Sequence, residues 1–326
     1  MKTRFLLIIL FSLSLSACSS SDYQDGTIGT GIDFPEREIS MIIPFGRGNA
    51  SDVFGREFSA LLSAQLPVKV VPLNKSGSGG LQGMLYAASL PADGYTILEI
   101  TPSHIIADVL HRSPKLGLLD TFKPLALVQN DYYVLFSNNS PDAISLDEFM
   151  DPSSTREFTV AGVSPHGLDE ITLSLLAKET GRKLKFVPYQ SSQAIRAALL
   201  SGEVDLYLGK LISSIKHIRS GRLRPLMVLN EGRLENPKEL ATIPSSVELG
   251  YQITTKSWRG FVVLKETPNH IRDYLADQIR YVANGTAYQK ELGGDFSNQS
   301  LDFKGPEQFD QFLRRQFDYY QRLVGK

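Results

Sequence analysis

The sequence predicts an α/β protein of two units, each a mostly parallel sheet flanked by helices. Three observations carry this reading. From Glu36 onward, short apolar strands alternate with amphipathic helices, the pattern of a parallel sheet covered on its faces. Glycine-rich loops stand between strand and helix at residues 44–52 and again at 74–83. The apolar run at 125–136 is broken by Gln129-Asn130-Asp131, a second alternating unit follows, and the last third of the chain returns to the first pattern.

Taken in order, residues 41–43 form a strand, and Phe54, Phe58, Leu61, Leu62 and Gln65 line one face of a helix beginning near Asp52. A strand at 68–73 and a helix at 81–89 follow, then the turn Pro91-Ala92-Asp93-Gly94 and a third strand at 95–100. Thr101-Pro102-Ser103-His104 opens another loop-to-helix transition. In the second unit a strand at 158–161 leads to a helix over 168–180, closed by Gly181 at a C′ position. A strand at 185–187 then leads through Pro188-Tyr189-Gln190 to a helix near 193–200 closed by Gly202, with strands at 204–208 and 225–229 completing the unit. Residues 258–264 read as a strand. Thr267 is expected to cap the next helix, with Pro268 at its first position and Ile271, Leu275, Ile279 and Val282 on its buried face. Pro306 opens a last helix whose Phe309, Phe312, Leu313, Tyr320 and Leu323 form an apolar stripe, read as core.

At 326 residues, with 42% hydrophobic and 21% charged side chains, the chain has room for a large core. A formal net charge of −1 gives no basic field for nucleic acid. Lys2 and Arg4 precede an apolar run at 5–15, so residues 1–17 read as a signal peptide, too short to be a membrane span. The run ends in Leu15-Ser16-Ala17-Cys18, similar to the lipobox of bacterial lipoproteins, in which the cysteine is lipidated and heads the mature chain. Cys18 is the single cysteine, so neither a disulfide nor a metal cluster explains it; the alternative is a plain signal peptide with an incidental cysteine. Ser19 in place of Asp implies, by the same likeness, export to the outer membrane. Residues 18–33 are rich in Ser, Gly, Asp and Thr and read as a tether spanning about 20–25 Å.

The chemistry excluded is as informative. Histidines 104, 111, 166, 217 and 270 lack metal-ligand spacing, no nucleotide P-loop occurs, and neither glycine loop has dinucleotide-binding spacing, so no cofactor is expected. Gly162-Val163-Ser164-Pro165-His166 approaches a nucleophile elbow, and Asp205 and His217 follow in hydrolase order. However, His166 replaces the second glycine, and Pro165 removes the N–H after Ser164 that would serve the oxyanion hole. What remains is an anion cradle: glycines let the backbone come close to a ligand, and helix starts present free N–H groups and the positive end of the helix dipole.

The motifs then line up. P-F-G-R-G-N-A-S-D at 44–52 is similar to P-F-x-x-G-G-x-x-D, and N-K-S-G-S-G-G at 74–80 to N-R-P-G-A-G-G, of the periplasmic solute receptors of the tripartite tricarboxylate transporter system, the Bug-type binding proteins. A-D-G-Y-T at 92–96, F-K-P-L at 122–125, V-P-Y at 187–189, G-E-V-D at 202–205, G-R-L-R at 221–224 and W-R-G-F at 258–261 extend the likeness over nearly the whole body. The resemblance implies a type II-like periplasmic binding protein with a two-strand hinge: lobe 1 at 34–124 and 232–326, lobe 2 at 125–231. It implies no enzymatic activity, and a monomer that clamps a small organic carboxylate between the lobes and delivers it to membrane permease subunits. The alternative roles are a ligand-presenting sensor subunit for a signalling partner and a lipid-anchored serine hydrolase using Ser164.

The site is expected at Phe45, Gly46, Arg47, Gly48 and Asn49, at Ser78 and Gly79, at Thr101 and Ser103, and in the second lobe at Ser164, His166, Tyr189 and Lys210. Asp52 is counted with these, though as helix N-cap more than as ligand contact. Asn49 replaces a glycine of the family pattern, Arg47 a small residue, and Lys210 falls where many members have an Asp-Asn pair. If Arg47, Lys210 and His166 face the cleft they favour a di- or tricarboxylate; the alternative is that Arg47 and Lys210 point to solvent.

Overall fold

The computed structural model describes residues 33–48, 50–111, 117–163, 167–291 and 303–323. The expected signal peptide and lipidated Cys18, nearly all of the expected tether, Asn49, Ser164 and His166 therefore lie outside the described residues. All that follows belongs to the compact unit Phe34–Lys326.

The first half runs β1 (Ile39–Ile43), α1 (Ala50–Gln65), β2 (Val70–Asn74), α2 (Leu81–Ala88), β3 (Thr96–Ile100), α3 (Pro102–His111) and the short α4 (Leu118–Thr121). The chain then leaves along β4 (Phe122–Asn138). The second half holds α5 (Leu146–Met150), β5 (Glu157–Val163), α6 (Leu168–Thr180), β6 (Lys183–Tyr189), α7 (Ser192–Ser201), β7 (Leu206–Lys210), α8 (Leu211–Arg219) and β8 (Leu223–Val228). Last come β9 (Lys256–Leu264), α9 (Asn269–Asn284), α10 (Thr286–Glu291) and α11 (Pro306–Leu323).

The strands form one curled sheet in the order β2-β1-β3-β9-β4-β7-β5-β6, with β8 also on β4. Each half keeps a parallel trio, β2-β1-β3 and β7-β5-β6, while β9 and β4 run antiparallel to their neighbours. β4 explains how the halves connect. Gln129-Asn130-Asp131 does not interrupt it; all three are buried within a continuous 17-residue strand. Its pairing with β9 ends at Tyr132↔Lys256, and its pairing with β7 begins at Tyr133↔Lys210. β4 thus changes partners just after the residues at which the sequence breaks the apolar run.

Apolar faces close around each part of the sheet. In the first half Ile42, Leu98, Ile105, Trp258, Phe309 and Leu313 share one core. In the second half Val134, Phe136, Ile195 and Leu199 pack on one side, and Leu135, Phe149, Phe158 and Leu176 on the other. α6 and its αL-closing Gly181 fall where the periodicity places them. One helix start differs. α9 begins at Asn269, with Pro268 in the extended cap position and no side-chain cap bond, and Thr267 Oγ1 is buried without a partner. Pro268 thus precedes the helix instead of opening it: a ψ of 139° is extended backbone.

Candidate ligand-binding site

Strand-to-helix loops of both halves face one another around a cavity of about 610 Å³. The first half contributes Phe45, the first turn of α1 at Ala50 and Ser51, the turn Ser78–Gly79, and Thr101, Pro102 and Ser103 at the start of α3. The second half contributes Val163, the first turn of α6 at Gly167–Asp169, and Lys210, which occupies the N-cap position of α8. Ser257 and Arg259 of β9 complete the polar lining, while Ile106, Leu110 and Ile171 make it partly apolar. The beginnings of α1, α3, α6 and α8 therefore gather at one space, each with N–H groups that have no intrahelical acceptor. An anion is the natural guest of such an arrangement.

The first loop is held from behind by Asp52. Helix α1 starts at Ala50, so Asp52 stands in its first turn and is not the N-cap predicted from sequence. Its carboxylate accepts the Gly48 N–H at 2.9 Å and the Asn74 amide at 2.8 Å, and pairs with Arg56 at 2.8 Å. Asn74 also donates to the Phe45 carbonyl at 2.9 Å, so one network ties the first loop to the strand that leads into the second. The Arg56 hydrogen bond, helped by Gly48 and Asn74, holds the Asp52 carboxyl down to about 2. Asp52 is thus a brace for the loop and does not line the cavity. Asp52→Ala should lower stability by about 2 kcal/mol, because it removes a buried carboxylate's charge-assisted hydrogen bonds to Gly48, Asn74 and Arg56. Urea denaturation checks this, and a loss below about 0.5 kcal/mol would contradict it.

The second and third loops meet at His104, which is wholly buried. The Thr101 N–H donates to Nδ1 at 3.0 Å, which leaves the neutral ring's proton on Nε2. A Cβ on Gly80 would stand 2.5 Å from that Nε2, and Gly80 has φ +103°, so only glycine lets the second loop close over the imidazole. Burial pushes the His104 pKa down to about 4.

In the second half, Asp169 opens α6 and is deeply buried. It accepts the Val163 N–H at 2.9 Å and the Tyr133 hydroxyl, and Lys210 Nζ lies 3.6 Å away. Asp131 accepts the N–H groups of Tyr132 and Ile212, and burial raises its pKa to about 6, with Lys210 and Arg259 both opposing the rise.

Of the residues predicted from sequence, Phe45, Ser78, Gly79, Thr101, Ser103 and Lys210 line the cavity together. Gly46, Arg47 and Gly48 are exposed and are absent from the lining. Tyr189 is absent from it too, and its hydroxyl donates to Glu203 at 2.9 Å. Sequence reasoning missed Ser51, Asp169, Ser257 and Arg259. A signal for the last existed: an arginine inside the otherwise apolar strand W-R-G-F-V-V-L faces something other than the core.

Two α/β halves joined by a partner-changing strand, with helix N-termini around the space between them, define a solute-binding protein of the type II-like class. The chain belongs to the tripartite tricarboxylate transporter receptor family: the model of the "Tripartite tricarboxylate transporter family receptor" matches residues 55–324. Protein BugT of Bordetella pertussis is 31% identical over 243 residues, 72% of this chain and 72% of BugT. Among solved structures, a ligand-free TctC solute binding protein from Polaromonas matches with a TM-score of 0.74 at 22% identity, covering 90% of this chain and 99% of that one. MatC from Rhodopseudomonas palustris with bound malate matches with a TM-score of 0.69 at 21% identity, covering 89% and 100%. R. palustris Rpa4515 with adipate matches at 0.72 and 22%, covering 90% and 98%. Members of this family are solute-binding receptors and not enzymes, which removes the hydrolase reading of Ser164. No helix among the described residues is long and apolar enough to cross a membrane.

Proposed function

We propose that the protein captures a small organic di- or tricarboxylate in the periplasm and delivers it to the permease subunits of a tripartite tricarboxylate-type transporter. The observation that carries the reading is the cavity where the starts of α1, α3, α6 and α8 gather with Lys210 and Arg259. A carboxylate there takes charge-assisted hydrogen bonds from N–H groups of both halves. Closure then excludes water and strengthens each of them. The malate and adipate of the two R. palustris structures belong to the same ligand class. In this reading the two halves form the lobes, hinged where β4 changes partner at Tyr132 and Tyr133. Leu234, Leu240 and Ile253 pack into the cores of the second half, so the stretch 232–253 goes with the second lobe and not, as expected from sequence, with the first. Phe45, Ser78, Gly79, Thr101, Ser103 and Lys210 face the ligand. Cys18 carries the lipid that holds the monomeric receptor at the outer membrane.

Isothermal titration of the full chain against citrate, succinate, malate, adipate, glutamate and an aromatic acid tests this. Saturable binding of at least one di- or tricarboxylate is expected, with glutamate weaker. Binding of no carboxylate would overturn the reading.

A further inference from the structure

Alternation along β9 sorts W-R-G-F onto the two faces of the sheet. Trp258 and Gly260 face α11: the indole packs against Phe309 and Phe312, and a Cβ on Gly260 would stand 2.3 Å from Phe309. Arg259 and Phe261 face α1, where Phe261 stacks on Phe54 and the guanidinium lies 5.2 Å from the same ring. β3 pairs Glu99 with Phe261, so Glu99 lies on this face too, diagonal to Arg259.

The two charges differ in what they touch. Arg259 lines the cavity although about nine-tenths buried, and Glu99 lies wholly beneath it. Their separation, 3.8 Å from Nε to Oε1, is too long for a hydrogen bond, and Arg259 Nε has no hydrogen-bond partner. Lys210, the other cation among the described lining residues, has Asp169 at 3.6 Å. A guanidinium cannot lose its proton, so a buried one held this loosely favours an incoming anion.

We infer that Arg259 is the residue that reads the ligand's carboxylate, and that Glu99 positions it and takes up a proton as the ligand binds. This rests on the carboxylate-receptor reading above. Burial forces the Glu99 pKa up to about 8, opposed by Arg259 and the Ser51 hydroxyl and reinforced by Asp52 of α1. The other titratable neighbour is Tyr288 of α10, whose phenol burial pushes far above its usual range. Asp131, which also acts on Arg259, has its pKa raised by burial only to about 6, below that of Glu99. In the empty site an ionised Glu99 is compensated by Arg259. A ligand carboxylate that claims the guanidinium removes that compensation, and Glu99 then binds a proton drawn from solvent.

The test is isothermal titration of the full chain with succinate, malate and adipate from pH 6.5 to 9.5, in buffers of different ionisation enthalpy. For the wild type, the Kd of whichever acid binds should be about tenfold weaker at pH 9 than at pH 7. Proton uptake per ligand should rise from near zero to near one over the same interval. Glu99→Gln, which keeps the shape of the protonated acid, should show the same Kd at both pH values. Arg259→Gln should weaken binding by roughly 30- to 100-fold, with part of the loss recovered in Arg259→Lys. A slope that survives in Glu99→Gln, or a folded Arg259→Gln variant within threefold of wild type, would overturn this inference and leave the receptor reading intact. If Arg259→Gln does not fold, the Glu99→Gln pH profile decides alone. A wild type that binds no carboxylate overturns both.

Discussion

Trp258→Ala is expected to lower stability by about 3–5 kcal/mol, the largest loss foreseen for a single truncation in this protein. The indole is fully buried, lies edge-on to Phe309 and Phe312 with centroids 5.9 and 5.6 Å away, and its Nε1–H donates to Gln316 at 3.3 Å. All three partners belong to α11, so the side chain is the rivet between the last helix and β9. Collapse around the cavity is hindered because Gly260, two positions on, already sits under Phe309. Guanidinium denaturation measures the loss. A value under about 1.5 kcal/mol would mean that α11 contributes little to the fold.

The second large effect concerns His104 and acid. Its folded pKa of about 4 lies below the ordinary histidine value of 6.5, because burial disfavours the charged ring. The unfolded chain therefore takes up this proton first as pH falls. The contribution is fully present above about 6.5 and is lost as pH falls to 4 and below, a change of about 3 kcal/mol. Glu99 and Asp131 act with the opposite sign: their raised folded pKa values make the fold hold protons longer, so their contribution is lost as pH rises. The clean observable is consequently a difference. The stability gap between wild type and His104→Gln should narrow by about 3 kcal/mol between pH 7.5 and pH 4. A gap that stays constant would show that the buried imidazole does not resist protonation. Because Gly80 and Thr101 both touch this ring, the same proton should loosen two of the loops that border the cavity.

Much of the fold was legible because its signals are local. The helix over 168–180 needed only apolar spacing and a closing glycine, and α11 only Pro306 and its aromatic stripe. The glycine loops likewise pointed to the first half of the site. α8 escaped because a lysine, not a capping side chain, precedes it, and its short run L-I-S-S-I-K-H-I-R reads ambiguously. Asp52 was misread as the cap instead of a first-turn residue for a related reason. A carboxylate in the first turn can reach back to the loop as readily as one at the cap can reach forward, and composition does not separate the two.

The arginines show where local reading stops. Arg47 sits in a glycine loop that motif reasoning singles out, yet its turn faces outward and leaves it exposed. Arg259 sits in a strand and lines the cavity. Glu99 in T-I-L-E-I gave the matching hint, a lone charge in an apolar strand, but nothing in either stretch says that the two meet.

By itself the sequence determined most of the elements, their alternation, the anion-friendly starts of α1, α3 and α6, and the family, since all of these are written in spacings of a few residues. The tertiary structure decided which charges face the ligand space. That choice rests on the register between β3 and β9, which sets Glu99 against Phe261 and so beside Arg259. Strand register is an agreement between segments distant in the chain, and shifting it by one residue would turn Arg259 to the opposite face.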